Sequence, residues 1–231
     1  MAKKFSINEA FKFGWITVKK NGGFFVTITF IVVMINFAPK LISDALKEDF
    51  LLLPLGISLI GSTLSFIVSM GLIRIVLKSY DNELPKFSDL FSPAPLFFKY
   101  LAASFLYGLI CFAGTLLLII PGIIWAIQFS FYGYLVVDRE MRPVAALKKS
   151  SVLTKGVKWN LVIFAIVFIG INILGALFFL IGLLISVPTT MLAAGFVYRK
   201  LLEDSEAAQA EKTEDEKAQS KGDRGQVSIP Q

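Results

Sequence analysis

The chain has 231 residues, a formal net charge of +6, a hydrophobic share of 55% and a charged share of 17%. Soluble domains average about 45–50% apolar and about 25% charged residues, so this balance argues against an ordinary soluble fold. Histidine is absent and cysteine occurs once, at Cys111; the commonest general base and metal ligand is missing, and an intramolecular disulfide is excluded.

The first twenty residues read as an amphipathic helix at the membrane interface. Ser6 and Glu9 have the spacing of a capping box, and Phe11, Trp15 and Val18 recur on one helical face. Lys12, Lys19 and Lys20 can reach anionic headgroups. Asn21-Gly22-Gly23 then breaks the helix. The segment does not have the form of a secretory signal, because the apolar run after it is too long and no small-x-small cleavage pattern follows.

Four stretches then carry no Asp, Glu, Lys or Arg: Asn21–Pro39, Phe50–Ile73, Tyr100–Val137 and Trp159–Tyr198, of 19, 24, 38 and 40 residues. A hydrocarbon core about 30 Å thick takes about 20 helical residues at about 1.5 Å each. The first two stretches therefore fit one crossing each, about Phe24–Phe37 and Leu53–Ile75. The row Gly61, Ser65 and Ser69 gives the second a small-residue face for close packing. The last two stretches are about twice the membrane thickness and must fold back.

In the third stretch Pro121-Gly122 is the expected turn, between a span from about Tyr100 to Ile120 and another from about Ile123 to Val137. The loop Asp138–Lys158 follows, with six Lys/Arg against two acids. Pro143 starts a short interfacial helix through Thr154, and Gly156 ends it. Val144, Leu147 and Ser151 are expected on its inner face. In the fourth stretch the turn is placed near Gly175–Gly182, with Pro188 kinking the last span and Gly182, Ser186, Thr190 and Ala194 forming a second small-residue row. From Glu203 to Gln231 the chain is rich in Glu, Lys, Gln and Ala, too poor in large apolar residues to offset chain entropy, and is expected to be disordered.

The fold class expected is therefore all-α: a polytopic transmembrane bundle of six spans arranged as three hairpins, with short cytoplasmic interfacial helices. Its divisions are residues 1–20, 21–202 and 203–231. With the N-terminus inside, the inner segments hold fifteen Lys/Arg and the outer side holds Lys40 and Lys47. This bias puts both termini in the cytoplasm.

No acid or base lies inside any expected span, which weakens the reading as an ion-coupled carrier. The neutral polar residues Asn36, Gln128, Ser130 and Asn172 are the candidates for an intramembrane polar site, although a helix–helix hydrogen bond is the more ordinary role of such residues. Lys148, Lys149, Lys155 and Lys158 are the candidates for contact with anionic lipid headgroups. Asp138, Arg139 and Glu140 read as an interfacial ion cluster. The phosphate-loop, dinucleotide, metal and nucleophile-elbow motifs are all missing, so neither an enzyme nor a cofactor is expected. Membrane lipids are the expected partners and nucleic acid is not, because the positive charge is spread beneath the spans.

One region carries a resemblance. It reads Ile-Ile-Pro-Gly-Ile-Ile-Trp over 119–125, Tyr-Leu-Val-Val-Asp over 134–138, and Ala-Ala-Leu-Lys-Lys-Ser-Ser-Val-Leu-Thr-Lys-Gly over 145–156, then Trp159. This order resembles a broad group of uncharacterised bacterial inner-membrane proteins, and is similar to the membrane domain fused ahead of some glycerophosphodiester phosphodiesterases. The resemblance implies a six-helix membrane fold. It supplies no catalytic residues, and the soluble phosphodiesterase domain has no counterpart in this sequence. On this reading the protein is a non-enzymatic membrane protein of the cell envelope, the alternative being a transporter or lipid-translocating protein for a neutral or lipid-like substrate.

Overall fold

The computed structural model describes residues 5–46, 52–178 and 181–225. Every regular element among them is helical. The helices are α1 (Ile7–Lys20), α2 (Gly22–Ala45), α3 (Leu53–Tyr80), α4 (Phe97–Leu117), α5 (Ile119–Phe129), α6 (Tyr132–Arg139), α7 (Pro143–Leu153), α8 (Lys158–Leu177) and α9 (Leu183–Gly225). Two short 3-10 turns, Phe87–Leu90 and Ala94–Leu96, lie between α3 and α4. Five stretches are long and apolar enough to cross a membrane: Gly22–Ala45, Leu53–Tyr80, Phe87–Leu117, Ile120–Arg139 and Lys158–Leu177. They mark the chain as a multi-pass membrane protein.

Local chemistry explains the boundaries. The Ser6 hydroxyl accepts from the Glu9 amide at 3.4 Å and starts α1. Pro143 begins α7, and Gly156 leaves the helical region just beyond it at φ +85°, a conformation glycine adopts without steric cost. The turn between α4 and α5 falls at Leu118, not at the expected Pro121-Gly122. Leu118 is extended, and Pro121 sits inside the first turn of α5, where its missing N–H is not needed. Gly122 instead serves packing, because a Cβ there would come within 2.7 Å of the Thr115 hydroxyl. Successive contacts pair Thr115 with Gly122, Tyr107 with Ala126 and Ser104 with Tyr132, so α4 runs antiparallel to α5–α6.

The large buried side chains gather at one end of the bundle, the end that carries Asp81, Asp138 and Arg199. There Met70 and Leu77 of α3, Leu135–Val137 of α6, Ala146 and Leu153 of α7, Leu161 and Phe164 of α8, and Val197, Tyr198, Leu201 and Leu202 of α9 close a shared core. Away from this end the surface is apolar, with residues such as Ile60, Leu116, Ile173 and Leu177 exposed.

α1 and α7 are built into that core. α1 was expected to present Phe11, Trp15 and Val18 as one apolar face. Val18 is buried and Phe11 stacks on Phe164 at 5.1 Å, but Trp15 is exposed. The contact row is Ala10, Gly14 and Val18, about one residue out of phase. Small residues permit the closest approach: a Cβ at Gly14 would overlap the Thr189 carbonyl oxygen of α9. α7 shows the same offset. Its buried residues are Ala146, Leu147, Ser150 and Leu153, while Val144 is exposed.

α9 continues as helix through Gly225, where the sequence reading expected no fixed structure from Glu203 on. Ala, Glu, Lys and Gln are strong helix formers, so this composition supports a helix even with nothing to bury. Residues 226–231 of the expected tail lie outside the described residues.

The Gly14 contact can be tested. Gly14→Val should lower stability by about 1–3 kcal/mol through overpacking. Gly170→Ala, where an added Cβ meets nothing within 4 Å, should melt within about a degree of the parent or slightly higher. Thermal unfolding of both proteins in detergent, followed by circular dichroism, measures the difference.

Candidate functional site

Three helix ends bring the strongest electrostatic group together. Asp138 terminates the apolar part of α6, Asp81 follows α3, and Arg199 lies just past the apolar part of α9. Arg199 donates to Asp138 at 3.0 Å and to Asp81 at 2.5 Å. Asp138 also accepts from the Tyr198 hydroxyl at 2.9 Å. Burial of Arg199 opposes its charge, but the Asp138 and Asp81 carboxylates outweigh it and hold its pKa above the usual value. Arg139 lies 3.4 Å from Asp138 and 2.7 Å from Glu206 of α9. The expected ion cluster at 138–139 is therefore present, and Asp81, Tyr198 and Arg199 complete it. Nothing in the sequence pairs these three with Asp138, since they lie about sixty residues away on either side. Glu140, expected in the cluster with Asp138 and Arg139, instead accepts from Lys99 through its backbone carbonyl at 3.2 Å.

The second group is built around a break in the fourth apolar stretch. α5 stops at Phe129 and α6 begins at Tyr132, so the expected continuous helix over 123–137 is interrupted at Ser130-Phe131. The freed Gln128 carbonyl accepts from the Ser150 and Thr154 hydroxyls, both at 3.1 Å. The Phe131 amide donates to the Ser150 hydroxyl at 3.2 Å. The Gln128 side chain donates to Ser151 at 2.7 Å and accepts from Lys158 at 2.5 Å. Every one of these partners comes from the segment 150–158.

The four neutral polar candidates do not meet. Asn36 donates to the Val32 carbonyl of its own helix at 2.8 Å, and Ser130 caps the break by donating to the Ile127 carbonyl at 2.9 Å. Gln128 belongs to the network just described. Asn172 joins α8 to α9, donating to Thr190 at 3.0 Å and accepting from Ser186 at 3.1 Å. The expected small-residue row on α9 thus supplies hydrogen bonds as well as close packing.

The four lysines divide in the same way. Lys148 and Lys155 are exposed. Lys149 donates to Ser205 at 3.3 Å and Lys158 to Gln128, so these two hold elements together.

Two grooves lie along the apolar half. One, of about 540 Å³, runs between α2, α3 and α9 from Phe25 to Phe37 on α2. The other, of about 620 Å³, lies between α2 and α3 and carries Asn36, Ser58, Ser62, Ser65 and Ser69. Ser58 Oγ reaches Ser43 Oγ at 3.1 Å there, and Pro39 packs on Gly61. The sequence signal for the second groove was the Gly61-Ser65-Ser69 row, read only as a packing face. The first groove had no sequence signal, since an apolar lining in an apolar span is unmarked.

No known family, curated protein or solved structure matches the chain.

The ion cluster generates a coupled prediction. Asp138→Asn and Arg199→Gln should each destabilise the bundle by about 2–4 kcal/mol, because each leaves a largely buried charge short of a partner. The double variant should cost less than the sum by about 1 kcal/mol or more. Unfolding midpoints of the three variants in detergent measure the coupling; additive costs would mean that the two residues act independently.

Proposed function

We propose that the protein is a non-enzymatic, six-span membrane protein of the bacterial inner membrane, with both termini in the cytoplasm, that acts through helix and lipid contacts in the cell envelope. The observation that carries this reading is the division of the bundle. A tightly packed, charge-linked end is joined to an apolar half that leaves its large side chains exposed, the surface expected of helices solvated by lipid. The sixth crossing is the part of α9 from Leu183 to Tyr198, sixteen residues long. At about 24 Å it is shorter than a typical hydrocarbon core. Arg199 and Lys200 mark its inner boundary, and a local thinning of the bilayer accommodates it. The positive-inside count favours a cytoplasmic position for the packed end. Trp15 and Trp159 are exposed at 52% and 78%, which suits interface anchors. The resemblance over residues 119–159 supports the same membrane placement.

The consumption of Gln128, Ser130 and Asn172 by helix-to-helix and capping bonds favours a structural role over a polar transport path. The serine-lined groove between α2 and α3 favours the second reading, a lipid-translocating protein, because a polar headgroup could follow Ser58, Ser62, Ser65 and Ser69 along one side of α3.

Reporter fusions after Ala45, Pro85, Ser150 and Ser205 test the topology and should read outside, inside, inside and inside. An outside signal at Ser150 would overturn the six-span order. Reconstitution in liposomes carrying a fluorescent phospholipid separates the two functions. Exchange between leaflets, slowed by Ser62→Leu with Ser69→Leu, would favour translocation; intact leaflet asymmetry supports the structural role.

A further inference from the structure

The groove between α2, α3 and α9 has a composition that restricts what can fill it. Among the described residues, Thr29 is its one polar side chain, and the Thr29 hydroxyl is already committed to the Phe25 carbonyl at 2.8 Å. A water molecule would find no two free polar partners there, and a polar ligand would lose its hydration without replacement. The occupant must be hydrocarbon. The volume, about 540 Å³, is within the range of small-molecule sites. The shape is elongated: Phe25 to Phe37 is about 18 Å of helix rise, matched by the run from Ile181, just before α9, to Met191 on α9. At the far end Phe37 and Ile181 are exposed, so the groove opens onto the surface that the membrane reading assigns to lipid.

The other end supplies the charge. Phe25 lies in the first turn of α2, and Asn21 makes no side-chain hydrogen bond to cap that helix. Gly22 and Gly23 leave its start open, since an added Cβ at either would meet nothing within 4 Å. Lys19 and Lys20 end α1 directly before it and are exposed. A third lysine arrives from a different element. Phe87 packs on Phe24 at 5.0 Å between ring centres, which brings its exposed neighbour Lys86 to the same helix start. Of the nearby acids, Asp89 pairs with Lys78 at 2.8 Å and accepts the Lys86 amide, and Glu83 lines a separate pocket with Arg74, Lys78, Asp81, Asp138 and Arg199. Three exposed lysines therefore belong to the segments that meet at the start of α2, next to the near end of a hydrocarbon-lined groove. Their ammonium groups and the open helix start suit an anion.

We propose that this groove is a binding site for one anionic phospholipid of the inner leaflet, its acyl chain lying between α2, α3 and α9 and its phosphate held by Lys19, Lys20 and Lys86. The site rests on the membrane placement above and extends it from general lipid solvation to a defined lipid. It is distinct from the lysines 148–158 in position and in having a chain-binding half.

The test uses the full chain in vesicles of phosphatidylcholine with phosphatidylglycerol, where one lipid at a time carries a photoactivatable acyl chain. Adducts are mapped by mass spectrometry. With labelled phosphatidylglycerol, adducts should concentrate on groove residues such as Met34 and Met191 relative to the exposed α8 residues Ile163 and Ile169. With labelled phosphatidylcholine they should not. Val187→Trp, which fills the groove, should abolish the enrichment while leaving α8 labelling intact. Because that variant could disturb folding, a second one alters only exposed groups. Lys19→Gln with Lys20→Gln and Lys86→Gln should reduce the preference for phosphatidylglycerol about tenfold. Equal labelling of groove and α8, equal labelling by the two lipids, or a preference unchanged in the lysine variant overturns the site. Absence of label on α8 as well would instead overturn the membrane placement on which the site rests.

Discussion

A carbonyl freed inside an apolar helix must find a donor, because neither lipid nor a packed core supplies one. In this protein that carbonyl belongs to Gln128. The helix that contains it stops at Phe129 and restarts at Tyr132, and the gap is tolerable only because the Ser150 and Thr154 hydroxyls fill it. The same requirement draws α7 out of the interface and into the bundle. Once α7 is seated, its other contacts follow. Ala146 and Leu153 enter the core, and Lys158 reaches the Gln128 side chain at the start of α8. The short basic loop is thus a brace that holds α5, α6 and α8 in register.

The ion cluster performs a related task one layer further out. Arg199, in the middle of α9, joins that helix to the ends of α3 and α6 through two carboxylates. An isolated buried arginine would be strongly destabilising, so the three helices are mutually dependent there. The side chains of Arg199 and Asp138 are only 15% and 12% exposed, which sets this pair apart from the more exposed bridge of Arg139 to Glu206. The latter ties the extension of α9 to the same end and is expected to contribute about 1 kcal/mol at most.

These two networks consume polar groups that could otherwise have lined a path across the membrane. They also concentrate rigidity at one end. The opposite half is left with apolar helices separated by grooves, and its behaviour depends on what fills them. The groove between α2, α3 and α9 begins at the packed end, where α1 and the Phe87 turn meet the start of α2.

Much of the architecture was legible in the sequence. The uncharged stretches located the helices at 22–45, 53–80, 97–117 and 158–177, because the cost of burying charge in hydrocarbon leaves few alternatives, although the first two run five to eight residues past the expected ends at Phe37 and Ile75. Ser6, Pro143 and Gly156 marked helix limits for local reasons that require no partner. What the sequence could not decide were pairings over long separations. Periodicity placed α1 and α7 as amphipathic helices but misjudged their contact faces by about one residue, because close approach at Gly14 and hydrogen bonding by Ser150 set the rotation. The break at Ser130-Phe131 was invisible because no glycine or proline marks it; the hydroxyls that stabilise it lie twenty or more residues away. Arg199 carried no signal in the sequence, and only the fold puts it between Asp81 and Asp138. Hydropathy and helix-end chemistry are local or additive and can be read along a chain. A shared hydrogen bond or a groove between three helices depends on which surfaces meet, and only the tertiary structure determines that.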